Sequence, residues 1–203
     1  MYTDDDTPIF AFQDLDYIPY GFSSTTAPYI ETPAATMRAA ATLMHLGLST
    51  VAEAASGPEG VERIVVCDLG CGDGDFLLSL LDHIKPIASS ITTLHGVGVD
   101  YNVELINSAG LKSKSQGLDV QWLIYDFNDD QDDLVHQLTA VHNITHIFIY
   151  LVPKQLALQT VRNILTGLCQ SGVVVCCYKF FPKYLTPARR DTLMELVLFD
   201  ETS

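Results

Sequence analysis

Positive charge is scarce in this chain of 203 residues: 11 lysines and arginines stand against 25 aspartates and glutamates, a formal net charge of −14. Such a chain repels a phosphate backbone, so a nucleic-acid partner is not expected. The same imbalance suits a cationic partner such as a basic protein segment, although surface acids also serve solubility alone. Metal-ligand spacing is missing too. The five cysteines, Cys67, Cys71, Cys169, Cys176 and Cys177, form no C-x-x-C pair, and the six histidines are scattered. No metal site and no disulfide framework are expected, and free buried thiols in a reducing, cytoplasmic compartment are the default. No apolar run approaches the ~20 residues that span a bilayer. Met1-Tyr2-Thr3-Asp4-Asp5-Asp6 has neither the basic segment nor the apolar stretch of a secretory signal, and it is too acidic for a transit peptide. Internal repeats are absent.

What is present is one highly informative run, Ile64-Val65-Val66-Cys67-Asp68-Leu69-Gly70-Cys71-Gly72-Asp73-Gly74-Asp75-Phe76. An apolar stretch ends in an acid, glycine follows at every second position, and a helical pattern begins. The pattern predicts a strand, a tight turn and a helix, with main-chain N–H groups left bare for a ligand. The spacing G-x-G-x-G differs from the dinucleotide G-x-G-x-x-G, which argues against a dehydrogenase.

Around this run, strand and helix patterns alternate. Strands are predicted over 64–69, 93–100, 120–125, 146–151, 173–178 and 193–199, and helices over 34–46, 76–84, 102–114, 132–139 and 154–169. Thr32 and Pro33 read as a hydroxyl cap and the first helical residue. Only about one strand is visible beyond residue 185. The short β-branched runs suit strands covered on both faces, and the alternation gives an α/β fold, a doubly wound, mostly parallel, Rossmann-like sheet. Two regions are expected: residues 1–56, an arm and helix packing on the ligand site, and residues 57–203, the core.

In an open parallel sheet, ligands bind at the carboxyl ends of the strands. The first predicted strand ends in Asp68 and the glycine loop, the second in Asp100-Tyr101-Asn102, the third in Asp126-Phe127-Asn128. One carboxylate can accept both hydroxyls of a ribose, which suits Asp100. A carboxylate beside an aromatic ring, as in Asp126 and Phe127, suits an adenine. Asp68 and Asp100 have plainer readings as helix caps, and the acids around Asp126 as a solvated loop.

With these acids, Val66-Cys67-Asp68-Leu69-Gly70-Cys71-Gly72-Asp73-Gly74 resembles the first motif of class I S-adenosylmethionine-dependent methyltransferases, and Asp100 and Asp126 resemble the second and third. Ala27-Pro28-Tyr29-Ile30-Glu31-Thr32-Pro33 is further similar to the P-Y-V-P-T-P segment of small protein lysine methyltransferases. That group includes the enzyme that modifies the ATP synthase c subunit, and it is distantly similar to the non-SET histone lysine methyltransferase. Ile149-Tyr150-Leu151-Val152-Pro153 and Tyr178-Lys179-Phe180-Phe181-Pro182 also resemble it. Asp75 departs from the arginine usual there, and the membrane-targeting segment of the mitochondrial members is missing.

The resemblance implies S-adenosyl-L-methionine as cofactor. Asp68, Gly70, Cys71, Gly72, Gly74, Asp100, Tyr101, Asp126 and Phe127 would hold it, with Tyr29 and Thr32 closing its methionine end. It places Tyr150 among the acceptor-site residues as the catalytic candidate, with Glu31, Phe180 and Phe181 as weaker ones. The acceptor implied is a lysine side chain of a protein. A small-molecule acceptor and a cofactor-binding, non-catalytic partner module are the alternatives, and the oligomeric state is left open.

Overall fold

In the computed structural model, residues 32–46, 62–88, 92–128 and 133–203 are described. Seven strands form one sheet: β1 (Glu62–Leu69), β2 (Thr92–Asp100), β3 (Val120–Ile124), β4 (His146–Ile149), β5 (Val174–Tyr178), β6 (Arg189–Asp191) and β7 (Leu196–Phe199). Their order is β3-β2-β1-β4-β5-β7-β6, with β7 antiparallel to both neighbours and the remaining pairs parallel. The helices are α1 (Ala34–Leu43), α2 (Asp75–Ile84), α3 (Val103–Gln116), α4 (Leu134–His136), α5 (Pro153–Leu156) and α6 (Gln159–Gln170).

Strand alternation sorts the core into two layers. Along β1, Ile64 and Val66 face α1 and α2, where Met37, Ala40, Leu77, Leu80, Leu81 and Ile84 meet them. Val65, Cys67 and Leu69 face the other way, toward Val161, Ile164, Leu165 and Leu168 of α6. The spacing of those four residues places them on one side of the helix. With helices on both faces, the sheet is doubly wound and Rossmann-like.

Several boundaries differ from the sequence expectation. Pro33, not Thr32, occupies the cap position of α1, and no side chain caps that helix. Asn102 lies outside α3 and caps it, accepting from the N–H groups of Glu104 at 3.0 Å and Leu105 at 3.2 Å. The helix expected over 154–169 is two helices, α5 and α6, broken at Ala157 and Leu158. The short helix expected over 132–139 begins at Leu134 and runs after His136 into a wider π-turn, Gln137–Val141. Beyond residue 185 there are two strands rather than one, so the sheet closes with a compressed antiparallel hairpin.

Candidate active site

The register of β1 sets Asp68 level with Gly98 of β2 and Phe148 of β4, so these strands end together. A cavity of about 350 Å³ opens at their carboxyl ends. Its floor is the loop after β1. The N–H groups of Gly70 and Cys71 both donate to the Val99 carbonyl, at 2.8 and 3.0 Å, which ties the loop to the end of β2. The Gly72 N–H donates to Asp100 Oδ2 at 2.9 Å. The other carboxylate oxygen, Oδ1, accepts from the Asn102 N–H at 2.9 Å. Each oxygen of Asp100 is thus half used, since a carboxylate offers about four lone-pair positions. The rest of that capacity can serve a diol. Gly70 sits at φ +87°, and a Cβ there would lie 3.0 Å from the Leu151 side chain, so the close approach of loop and β4 end requires glycine.

Asp68 and Asp100 are both buried, at 4% and 8% exposure, and both line the cavity. Burial, reinforced by the Asp100 carboxylate, pushes the Asp68 carboxyl up to about 8. Such a group is poised for a cation that would hold it ionised. The Cys71 thiol also lines the cavity; burial, with Asp68 and Asp100 adding to it, raises its pKa far above the ordinary thiol value, so it is a neutral wall and no nucleophile.

The aromatic wall comes from α2 and from the ends of β3 and β4. Phe76, in the first turn of α2, stacks on Phe148 of β4 with ring centres 3.8 Å apart. Phe127 follows β3 and packs at 5.8 Å on Tyr125. Tyr150, just past β4, is half-buried, tilted on Tyr178 at 4.8 Å and stacked on Phe180 at 6.4 Å. Phe76, Phe148, Phe127 and Tyr150 line the cavity.

Of the residues the sequence points to, Thr32, Asp68, Gly70, Cys71, Gly72, Asp100, Tyr101, Phe127 and Tyr150 come together here. Tyr29 and Glu31 lie outside the described residues. Gly74 does not line the cavity: a Cβ there would meet the Trp122 ring at 2.5 Å, so its missing side chain makes room for the indole. Asp126 is exposed and also off the lining, its Oδ1 accepting from the N–H and the side-chain amide of Asn128 at 2.9 and 2.8 Å. Phe180 backs Tyr150 from behind, and Phe181 lies under the Arg190 guanidinium at 5.3 Å.

Sequence reasoning missed Met37, Ser79, Leu105 and Gln155, which also line the cavity. Their residue types carry no chemical signal; only the fold brings them in. Phe76 is different, because its place directly after the glycine loop sets it beside the site in the sequence itself. The spacing from Tyr150 to Lys154 matches the Tyr-x-x-x-Lys associated with dehydrogenases. On a helix that spacing would stack both on one face, but here Tyr150 precedes α5 and only Lys154 belongs to it.

No known protein family matches the chain by sequence, and no curated protein does so. Solved structures do resemble it. A hypothetical protein of Thermus thermophilus matches at a TM-score of 0.52 and 15% identity, over 88% of this chain and 92% of that one, so the two share a fold through nearly their full lengths. An S-adenosylmethionine-dependent methyltransferase from Clostridium acetobutylicum matches at 0.44 and 14%, over 70% of this chain and 47% of that one. PKMT2 from Rickettsia typhi, solved with AdoHcy, matches at 0.43 and 17%, over 74% and 26%. The chain thus spans less than half of either methyltransferase. The seven-stranded, mostly parallel sheet meets the expectation of an α/β, doubly wound, Rossmann-like fold.

Proposed function

We propose that this chain transfers a methyl group from S-adenosyl-L-methionine to an amine nitrogen, that of a lysine side chain on a protein. One observation carries the reading: the bare loop of Gly70–Gly72, the half-used Asp100 carboxylate and the cation-seeking Asp68 carboxyl face a single cavity walled by aromatic rings.

The residues present fit the cofactor. Asp100 offers its remaining lone pairs to a ribose diol, Phe127 offers a flat apolar contact to a base, and Asp68 offers negative charge to the cationic amino-acid end. When bound, S-adenosylmethionine supplies a sulfonium methyl group, an electrophile whose departure leaves the electron pair on sulfur. The chain's own task is alignment and dehydration of the acceptor, and no protein nucleophile is needed. A lysine ammonium, with a pKa of about 10.4, must lose a proton before it can attack. Aromatic walls disfavour the charged form, and in this reading the Tyr150 phenol orients the nitrogen.

Incubation with methyl-labelled cofactor and a cell lysate tests the reading. Label is expected on lysine of a protein, located by mass spectrometry. Label confined to the small-molecule fraction would replace the protein acceptor with a metabolite. Cofactor binding by calorimetry with no label transferred would leave a cofactor-binding, non-catalytic module, and absence of binding would remove the methyl-transfer reading.

A further inference from the structure

The end of β5 is built around an unusual turn. The Phe180 N–H donates back to the Tyr178 carbonyl at 2.7 Å, closing a three-residue γ-turn around Lys179, which sits at φ +60°. Positive φ at a lysine is disfavoured, and this hand of γ-turn is rare and strained. It is held in place from outside: the Lys179 N–H donates to the Glu195 carbonyl at 2.8 Å, and Glu195 is itself at φ +56° in the turn before β7. Strain of this kind persists only where surrounding structure enforces it, and it concentrates at functional sites.

The turn aims the Lys179 side chain at two phenols. Its ammonium lies 5.2 Å from the centre of the Tyr178 ring and 5.7 Å from that of Tyr150. Tyr150 lines the cavity, whereas Lys179 stands behind it.

We propose that Lys179 is a positioning residue for Tyr150: its ammonium, aimed at the phenol by the strained turn, favours the phenolate and equips Tyr150 to take the proton that an amine acceptor must lose. This rests on the methyl-transfer reading above. In the step, an N–H proton of the acceptor ammonium passes to the Tyr150 oxygen, the nitrogen keeps the bonding pair for attack, and Tyr150 later returns the proton to water.

Among the described residues, the charged and titratable groups near Tyr150 include Tyr178 and Lys179 at the end of β5, Glu195 beyond Lys179, and Asp68 and Asp75 on the cavity wall. The carboxylates oppose phenolate formation, and Lys179 counters them from 5.7 Å off the ring centre. Burial alone would lower the Lys179 pKa, but Tyr150, Tyr178 and Glu195 together raise it, so the ammonium keeps its charge through the range where Tyr150 would work.

The test reads Tyr150 directly and needs no acceptor. The full chain is prepared with ring-labelled tyrosine, the Tyr150 resonance is assigned by its loss in Tyr150→Phe, and its titration is followed by NMR. Lys179→Met is expected to move the Tyr150 titration up by about one pH unit, the effect of removing an adjacent opposite charge. Lys179→Arg is expected to keep it near the wild-type value. Both variants are checked for native circular dichroism and for unchanged affinity toward S-adenosylmethionine. A Tyr150 titration that stays put in folded Lys179→Met overturns the proposal. If Lys179→Met does not fold, Lys179→Arg and Lys179→Gln decide: the same titration in both overturns it, and an upward move in Lys179→Gln alone supports it. Loss of cofactor binding in the wild type would instead remove the methyl-transfer reading and leave the titration result standing.

Discussion

Asp68 carries its carboxyl at the end of β1, where burial and the Asp100 carboxylate both oppose ionisation. The folded-state pKa, about 8, lies above the ordinary 3.8, so the fold binds a proton that the unfolded chain releases. Stability from this group is therefore fully present below the unfolded value and is lost as pH rises through the window between the two. At neutral pH and above, ionising Asp68 works against the fold unless a cation is bound beside it. Asp68→Asn is expected to stabilise the ligand-free protein at pH 8 by about 2 kcal/mol, well below the full linkage value because the cavity admits water. The same variant is expected to lose affinity for S-adenosylmethionine. Thermal denaturation and calorimetry read the two effects; a variant no more stable than wild type would mean that Asp68 already has a charged partner. Asp100 behaves differently, because its oxygens accept the Gly72 and Asn102 N–H groups before any ligand arrives. Asp100→Ala removes the ribose contact and also frees the loop, so cofactor affinity is expected to fall by at least about 2 kcal/mol, the scale of hydrogen bonds to a charged group. Unchanged affinity in the folded variant would take Asp100 out of the site.

Between β2 and α3, one large side chain determines how closely the elements approach the loop. A Cβ on Gly98 would lie 2.2 Å from the Trp122 ring, and one on Gly74 would lie 2.5 Å from it. The indole fills the space those two glycines leave and donates to Ser113 Oγ of α3 at 3.1 Å. Gly98→Ala is expected to cost about 2 kcal/mol by overpacking. Because Gly98 also faces the Cys71 sulfur, at 3.1 Å from the added Cβ, the same change should displace the loop and weaken cofactor binding. Adding Trp122→Leu is expected to recover part of the stability, a coupling that urea titration of the single and double variants reveals. Additive losses would show that the contact does not govern the packing. The strands are legible in the sequence where apolar runs stop at glycine or an acid, as Ile64–Leu69 does. Arg189–Asp191 carries no such signal: it is a short, polar, largely exposed edge strand, set by its pairing with β7 rather than by its own residues. The break between α5 and α6 has no glycine or proline to announce it, and only packing against the sheet separates the two.

At the scale of the whole molecule, the site is legible in its loop and strand ends, because a parallel sheet brings those ends together whatever the intervening helices do. Its distal wall is not, since Met37, Leu105 and Gln155 reach the cavity through tertiary packing alone. In the sequence Asp126 and Phe127 read as a pair, yet the turn directs only the ring inward. What the sequence states without ambiguity is charge. The chain carries a net −14, and the cavity's own lining carries Asp68, Asp75 and Asp100. Lys112 of α3 reaches Asp73 at 2.5 Å and Asp75 at 2.6 Å, which leaves Asp100 as the carboxylate facing inward beside the protonated Asp68. A field of one sign raises the local concentration of oppositely charged ligands and speeds their encounter, and salt suppresses it once the screening length falls to about 10 Å near 0.1 M. With a lysine-rich peptide as acceptor, kcat/KM is expected to fall several-fold from low to moderate ionic strength. That change should lie mainly in KM, because salt acts on encounter and leaves the aromatic-walled interior little affected. A neutral amine acceptor of similar size is expected to show no such dependence. If the peptide's kcat/KM is flat with salt, the acidic surface serves solubility alone, and acceptor choice rests on the pocket around Tyr150.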